Sequence, residues 1–379
     1  MNKRFEGIVM PHNVIGWLWR IVVLGLLLVS GVTGCAVVPA EEAAQPTEAL
    51  VDIMYATDRN ATGNSNVLTF YGEERGELNY GTAQVAIRID KSVSPFADYS
   101  IWNLRLKGST SKRAELVRID PLNNKSFLNT LSNRIQKSAD KSALVYTHGY
   151  SRNFEHAARI TATLAYELRY QGIPVLYSWP SKGSPSAYLG DRTTIEWSAP
   201  NFYKFFKDIA LDTKVETIHV VAHSMGNQAF LQAFMKLLDD PEMTANWKFG
   251  EIVLVAPDVD RGIFERDIAP AIVQADSHIT LYVSSIDIPL MASRSVNLYP
   301  RLGDAREEPV IIEGIETIDA SEAASLISGH TYYRETPEVL ADLYYLINER
   351  REASDRPTLE AVDSPRGQFW KIKEVYVKP

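Results

Sequence analysis

Downstream of residue 142, short apolar runs alternate with longer stretches that carry apolar residues at helical spacing. The runs are apolar at nearly every position, which is typical of strands buried on both faces. They lie at 143–147, 173–179, 217–222, 252–256, 279–284 and 310–314. The helical stretches lie at about 153–170, 191–212, 226–238 and 336–350. This alternation predicts an α/β fold, a three-layer sandwich around a mostly parallel sheet.

The two ends of the chain predict a smaller β contribution. Residues 50–56 and 82–90 have the composition and alternation of strands, and residues 57–63 are rich in turn-forming residues. Residues 91–140 are polar and irregular. The alternating tail 367–379 predicts an added edge strand.

The N-terminal segment has the charge and hydropathy pattern of a secretion signal. Lys3, Arg4 and Arg20 precede the apolar run 21–30. That run is shorter than the roughly 20 apolar residues that a permanent membrane-spanning helix requires. A basic region followed by a short apolar region is typical of a cleaved signal peptide, which we assign to residues 1–34.

The only cysteine of the chain follows this segment directly. Val32-Thr33-Gly34-Cys35 resembles the lipobox of bacterial lipoproteins, in which small residues precede a cysteine that is lipidated and becomes the mature N-terminus. The resemblance implies a lipid such as palmitate on Cys35, and Ala36 favours the outer membrane, facing the periplasm. Two alternatives stay open, a cleaved signal peptide with a chance cysteine and an uncleaved anchor.

The segment after Cys35 predicts a flexible tether. Residues 35–49 are rich in Ala, Pro and Glu and show no apolar period. The expected organisation is therefore a signal peptide at 1–34, a lipidated tether at 35–49, and a folded domain at 50–379 that begins with a β extension.

Composition excludes several classes of protein. Hydrophobic residues make up 45% of the chain, which argues against long-range disorder. A net charge of −8 argues against nucleic-acid binding, which requires clustered basic residues. One cysteine forms no internal disulfide, and the sequence contains neither an H-E-x-x-H motif nor a phosphate-binding glycine loop. We therefore expect no metal and no cofactor.

Ser224 is the best candidate for chemistry, because it lies between the predicted strand 217–222 and the predicted helix 226–238. Ala222 and Gly226, two residues before and after it, are small enough for the strained strand-to-helix turn that exposes a nucleophilic serine. The turn puts Ser224 at a helix N-terminus, which favours developing negative charge. A buried serine in an ordinary turn is the alternative, and the strand–turn–helix context favours the nucleophile.

A serine nucleophile needs an acid and a base, which follow it in that order in hydrolases with this turn. His330, in a loop after the last predicted strand, is the better base candidate, because His278 precedes its strand and so lies at the opposite edge of the sheet. Asp287 and Asp258 follow successive strands. We favour Asp287 as the acid, because the commoner arrangement takes the later strand, and Asp258 stays as the alternative acid.

Attack on a carbonyl group also requires donors for the oxyanion. We assign these donors to the backbone N–H groups of Met225, next to the serine, and of Tyr150, in the loop after strand 143–147. His148 and His223 are expected to brace their loops through hydrogen bonds rather than to exchange protons.

Together, several short motifs resemble a bacterial α/β-hydrolase family of unknown function. They are Tyr55-Ala-Thr-Asp-Arg59, Thr147-His-Gly-Tyr150, Tyr177-Ser-Trp-Pro-Ser181, Tyr188-Leu-Gly-Asp-Arg192, Ala222-His-Ser-Met-Gly226, Ala256-Pro-Asp-Val-Asp260 and Arg301-Leu-Gly-Asp304. The resemblance implies an α/β-hydrolase fold and a Ser-Asp-His hydrolase, and it implies no particular substrate.

The predicted function is that of a serine hydrolase, of the carboxylesterase or lipase type, held at the bacterial cell envelope by its lipid. Its expected partners are an acyl-ester substrate and the membrane. Two alternatives remain, a non-catalytic lipoprotein that binds a partner through a hydrolase scaffold, and an acyltransferase that uses the same triad.

Overall fold

The computed structural model describes residues 47–89, 114–275, 277–323 and 330–373. The expected signal peptide, Cys35 and nearly all of the tether lie outside these residues. Within the described part of the chain, no helix has both the length and the apolar character needed to cross a bilayer.

One continuous sheet organises the described residues. Its strands are β1 (Thr47–Ala61), β2 (Tyr71–Ile89), β3 (Ala114–Leu122), β4 (Ser142–Thr147), β5 (Ile173–Ser178), β6 (Thr217–His223), β7 (Phe249–Val255), β8 (His278–Val283), β9 (Glu316–Asp319), β10 (Leu359–Ser364) and β11 (Gly367–Ile372). They are ordered β10-β11-β9-β8-β7-β6-β4-β5-β1-β2-β3. In this order, neighbouring strands are parallel from β11 to β1. At one edge β10 is antiparallel to β11, and at the other edge β2 and β3 continue the sheet in antiparallel pairs.

Helices cover both faces of this sheet. The helices are α1 (Asn124–Lys137), α2 (Phe154–Glu167), α3 (Tyr188–Asp212), α4 (Gly226–Leu238), α5 (Pro241–Ala245), α6 (Arg261–Ile263), α7 (Ala269–Ile272), α8 (Ile288–Asn297), α9 (Tyr332–Glu335) and α10 (Pro337–Ile347). A π-helical turn lies at Phe264–Ile268, and 3₁₀ turns lie at Pro185–Ala187 and Ala353–Asp355.

The core divides into two layers, one on each face of the sheet. Helices α1, α3 and α4 pack on one face, and α2 and α10 pack on the other. Strand residues alternate between the layers, so that Val145 of β4 contacts the first layer and Leu144 and Tyr146 contact the second. This is the predicted three-layer α/β sandwich around a mostly parallel sheet, and the prediction is confirmed.

The predicted turn at 57–63 is wrong over its first five residues, because β1 continues to Ala61. Thr57, Asp58 and Arg59 are fully buried. Distant partners satisfy them: the Thr57 hydroxyl donates to Ser178 O at 2.6 Å, and Tyr177 donates to an Asp58 oxygen at 3.1 Å. Turn-forming composition is a local signal, and here tertiary hydrogen bonds outweigh it.

The polar stretch 91–140 contains two elements that the apolar pattern does not predict. Strand β3 buries alternate residues at its start, and α1 buries Phe127, Leu131 and Ile135 at a spacing of four. The side chain of Asn123 caps α1 by accepting a hydrogen bond from the Ser126 N–H at 2.9 Å. Only one narrow stripe of each element is apolar, so the composition averaged over residues 91–140 is polar and shows no clear period.

Two predictions near the C-terminus need correction. Residues 310–314 are not a strand, because Gly314 has a φ of +85° and helps to fold the chain into a tight turn in which Ile312 bridges Ile315. The strand follows this turn as β9. The C-terminal strand β11 pairs with β9 on one side and β10 on the other, so β10 rather than β11 is the edge.

The strand order creates a crevice at one position. After β4 the chain adds β5 on one side, and it then crosses over to add β6 on the other side of β4. At such a reversal the loops that leave the carboxyl ends of neighbouring strands diverge, and α/β proteins bind ligands there. The loops after β4 and β6 carry Tyr150 and Ser224.

His278 begins β8 at the opposite, amino edge of the sheet, as predicted. Its Nδ1 lies 2.6 Å from a Glu251 oxygen, and its Nε2 lies 3.1 Å from a Glu316 oxygen. Burial disfavours the charged ring, but the hydrogen bonds to the two glutamates outweigh burial and raise the pKa of His278 to about 10.

This raised pKa predicts a pH-dependent contribution to stability. The protonated ring stabilises the folded state, so the free energy of unfolding should exceed that of His278→Gln most near pH 6.5, and the difference should shrink as the pH rises towards 10. Urea unfolding across this range measures it. His156→Gln is the matched control, because burial lowers the pKa of His156 to about 3 and its ring stays neutral throughout. A constant difference for His278→Gln would contradict the ion pairs.

Candidate active site

Ser224 lies in a strained turn between β6 and α4. Its φ is +53°, in the left-handed region that costs a non-glycine residue about 1–2 kcal/mol. The backbone on both sides holds this conformation: the Ser224 N–H donates to Val255 O at 2.9 Å, and the Asp258 N–H donates to Ser224 O at 3.2 Å. Strand β7 and its following loop therefore fix the serine.

The side chain of Asn227 fastens the same turn from inside. Its amide donates to Ala222 O and to Ser224 O, both at 3.0 Å, and lies 3.4 Å from Val255 O. Asn227 is fully buried. The sequence pattern does not single out Asn227, since an asparagine in the first turn of a helix has many ordinary uses.

Two glycines allow the loop after β4 to approach this turn closely. A Cβ atom on Gly226 would lie 2.5 Å from His148 O, and a Cβ on Gly149 would lie 2.7 Å from the Ser224 Cβ. The backbone of His148 is therefore what requires a small residue at 226. The backbone of 148–150, which includes the Tyr150 N–H, lies directly against the serine.

His148 braces this loop through both ring nitrogens. Its Nδ1–H donates to Gly149 O at 2.8 Å, and its Nε2 accepts from the Ser178 hydroxyl at 3.1 Å. The ring stacks on Trp179 with centroids 5.2 Å apart. Burial, with the nearby charge of Arg59, holds the pKa of His148 well below its ordinary value, so the ring is neutral. These contacts agree with the expected bracing role.

Arg59 ties together the loops that follow β4 and β5. The fully buried guanidinium donates to Ser181 O at 3.1 Å, to Arg152 O at 2.6 Å, to Gly72 O at 3.1 Å and to the Ser178 hydroxyl at 2.9 Å. Burial lowers the pKa of Arg59 to about 10, still above neutrality. Its role was not predicted, although an arginine inside a buried strand is an unusual residue to find there.

His330 and Asp287 are in direct contact. The His330 Nδ1–H donates to Asp287 Oδ2 at 2.7 Å, and both residues are buried. The second oxygen of Asp287 accepts from the Leu290 N–H at 2.9 Å and caps α8. Burial raises the pKa of Asp287, while the charge and the hydrogen bond of His330 act in the opposite direction. With Nδ1 occupied, the free Nε2 of His330 is left as a proton acceptor.

His223, beside the serine, connects β6 to this histidine. Its Nε2–H donates to the backbone oxygen of His330 at 3.0 Å, and the two rings lie 4.7 Å apart. Burial lowers the pKa of His223 well below its ordinary value, and the proximity of His330 adds to this effect. His223 is thus a neutral brace, as expected.

Among the described residues, the Ser224 hydroxyl makes no hydrogen bond to the His330 ring. Ser224 and His330 are linked through His223, which precedes the serine in the chain and donates to His330 O. Hydrogen bonds of this kind are often long without substrate and tighten when substrate binds.

Asp258, the alternative acid, has other partners. Its carboxylate lies 2.7 Å from Arg301 Nε and accepts hydrogen bonds from Tyr188, at 2.7 Å, and from Ser293. The Arg301 guanidinium also donates to Asp258 O at 2.9 Å. Asp287 rather than Asp258 therefore contacts His330, and Asp258 joins the loops around the crevice.

Backbone strain is concentrated at this edge of the sheet. Ser151, Ser224 and Ala256 follow β4, β6 and β7 respectively, and all three have positive φ angles. Non-glycine residues in this conformation persist only where their surroundings hold them, and they cluster at functional sites.

Within the described residues, a group that could hold a metal ion lies elsewhere, at the amino edge of the sheet. His278, Glu316 and Glu352 have ligand atoms within 4.8 Å of one another. The hydrogen bonds of Glu316 are already shared with Arg356 and with the Ala353 N–H. Among the residues that the structure describes around Ser224, no such group is present.

The close approach at Gly149 predicts opposite effects for two glycine substitutions. Gly149→Ala should lower the free energy of unfolding by about 1–3 kcal/mol, because its methyl group would overlap Ser224. Gly190→Ala is the control: its Cβ would meet no atom within 4 Å, and alanine in α3 should stabilise by about 0.5–1 kcal/mol. Urea unfolding measures both, and equal effects would contradict the packing of this loop on the serine.

Comparison with known proteins identifies the scaffold. None of the curated proteins compared with the chain matches it. Residues 123–350, more than half of the chain, match the family described as alpha/beta hydrolase of unknown function (DUF900). That range contains β4 to β9 and the residues at the carboxyl edge from His148 to His330. The chain therefore belongs to this family of alpha/beta hydrolases of unknown function.

Proposed function

We propose that the protein is a serine hydrolase that cleaves an ester or related acyl bond. The observation that carries the proposal is the 2.7 Å hydrogen bond from His330 to Asp287, in the crevice that also contains the strained Ser224. An acid–histidine pair after two later strands and a serine at a strand-to-helix turn are the components of a catalytic triad, in the chain order of α/β-hydrolases.

In the proposed reaction Ser224 Oγ attacks the carbonyl carbon of the substrate. The hydroxyl proton moves to Nε2 of His330, while Asp287 keeps the other ring nitrogen protonated and stabilises the imidazolium that forms. His330 then donates this proton to the leaving alcohol, and an acyl group remains on the serine. Water enters and gives a proton to His330 as its oxygen attacks the acyl carbon. The bond from that carbon to Ser224 Oγ then breaks, His330 returns the proton to Oγ, and the carboxylic acid leaves.

The backbone supplies the donors for the oxyanion in this proposal. The Met225 N–H precedes the first turn of α4, whose N–H groups have no partner within the helix. The Tyr150 N–H belongs to the loop that Gly149 allows against the serine. Two such donors, together with the positive end of the α4 dipole, stabilise the charge that develops on the carbonyl oxygen.

Labelling with a fluorophosphonate probe tests the nucleophile. The probe should modify the wild-type protein once, at Ser224, and it should not modify Ser224→Ala. The control is Ser295→Ala, on the exposed face of α8, rather than a change at Asn227, which holds the serine turn. A folded wild-type sample that resists the probe, or equal labelling of Ser224→Ala, would refute the proposal.

The same assay distinguishes the two aspartates. Asp287→Asn should slow labelling by orders of magnitude, because the amide favours the wrong tautomer of His330. Asp258→Asn should change stability more than reactivity, since it removes the charge that pairs with the buried Arg301. If Asp258→Asn abolishes labelling in a folded protein and Asp287→Asn does not, the acid assignment fails.

We further propose that the protein is lipidated on Cys35 and held at the bacterial envelope. The support is the sequence around Cys35, which lies outside the described residues. Metabolic labelling with palmitate should tag the wild-type chain and leave Cys35→Ser untagged. Label that persists on Cys35→Ser would refute the anchor without affecting the triad.

A further inference from the structure

A cavity of about 760 Å³ lies beside the serine turn, along helix α4. Gln228 and Lys236 mark its two ends on that helix, so the cavity extends for about 12 Å at a rise of about 1.5 Å per residue. Its volume is in the range of sites for small organic ligands, about 300–1,000 Å³. No step of the proposed reaction uses this cavity.

Hydrogen bonds connect one end of the cavity to the serine turn. Gln228, at this end, lies in the first turn of α4 and four residues after Ser224 in the chain. Its side-chain amide donates to Asp258 O at 2.6 Å, and the Asp258 N–H donates in turn to Ser224 O. A ligand that fills the cavity therefore has one end beside Gln228, which Asp258 links to Ser224.

Apolar side chains form much of the cavity wall. Leu231, Met235, Val259 and Ile268 line its interior, and Ile263, Val296 and Tyr299 lie at its rim. The three rim residues are 48%, 52% and 65% exposed, although they are large and hydrophobic. Such side chains gain free energy when an apolar group covers them.

The cavity also has cations that lack an acidic partner. Arg192 and Lys236 line it, and within the described residues no carboxylate lies within 4 Å of either side chain. Arg192 donates one hydrogen bond, to Asn297, and its Nε is buried without a partner. Arg192 thus keeps donors free for an anionic group, and hydrogen bonds through Asn297 and Tyr188 link it to Asp258.

One of the two acidic residues of the wall has a charged partner. Asp260 accepts from the Ile263 N–H at 3.0 Å, and Asp267 forms an ion pair with Arg266. The third cation of the wall, Arg301, is paired with Asp258. Among the described residues of the wall, two unpaired cations, Arg192 and Lys236, therefore outnumber one unpaired carboxylate, Asp260, and the net positive charge favours an anionic ligand.

We propose that this cavity binds the substrate as an anionic amphiphile, with an aliphatic acyl chain along α4 and a phosphate or carboxylate group, close to the ester, on Arg192. The inference rests on the proposed hydrolysis at Ser224 and adds a substrate class to it. An acyl ester of glycerol phosphate has this chemistry: a chain for the apolar wall, an ester within reach of the serine, and an anion for the guanidinium.

Binding without turnover is the first test. Ser224→Ala should bind decyl phosphate in titration calorimetry more tightly than it binds decanol or inorganic phosphate. Adding Arg192→Gln should weaken decyl phosphate binding about tenfold, as the loss of one charge-assisted hydrogen bond implies, and leave decanol binding unchanged. Val296→Asp, which places a carboxylate at the exposed rim, should weaken both. Arg118→Gln removes an exposed cation far from the cavity, on β3, and is the control.

Turnover is the second test. The wild-type protein should hydrolyse 1-decanoylglycerol 3-phosphate with a kcat/KM about tenfold above that of 1-decanoylglycerol, and Arg192→Gln should bring the ratio near one by raising KM for the anionic ester alone. Equal binding of decyl phosphate by Arg192→Gln, or an unchanged ratio, would overturn the inference. If Ser224 still reacts with the fluorophosphonate, the proposed function survives that result; if Ser224 is unreactive, both fail.

Discussion

The left-handed turn at Ser224 is the constraint on which the rest of the crevice depends. A serine with φ of +53° is stable only because β7, its following loop and the amide of Asn227 hold its backbone. The glycines at 149 and 226 then let the neighbouring loop pack directly on the turn. Side chains of ordinary size at these positions would move the Tyr150 N–H away from the serine. The proposed oxyanion site is therefore a product of backbone packing rather than of particular side chains.

The parts of the fold that follow from local pattern were predictable from the sequence. Helix α4 was predicted with the bounds that the structure has, because its apolar stripe is regular and its N-terminus adjoins a recognisable turn. Strand β1 beyond Thr57 was not predictable, because its polar residues are buried against partners that are more than a hundred residues away. Helix α1 and strand β3 were not predicted, because each has only a narrow apolar stripe within a polar segment.

The candidate site shows the same division. Ser224, Asp287 and His330 could be named as candidates because they follow β6, β8 and β9, whose carboxyl ends meet at one edge of the sheet. Asn227, Arg301 and Tyr188 could not be given roles, since their hydrogen bonds depend on how separate loops fold over one another. Chain order identifies the proposed triad, and three-dimensional packing identifies the residues that hold its loops.

The position of Arg59 has a consequence for the limits of the functional unit. The family match begins at residue 123, whereas the guanidinium that joins the loops after β4 and β5 comes from β1. A fragment cut at the family boundary would lose this donor, leave Arg152 O and Ser181 O unpaired, and expose the edge of β5 that pairs with β1. In this protein, the smallest piece that retains a properly formed crevice must begin before Arg59.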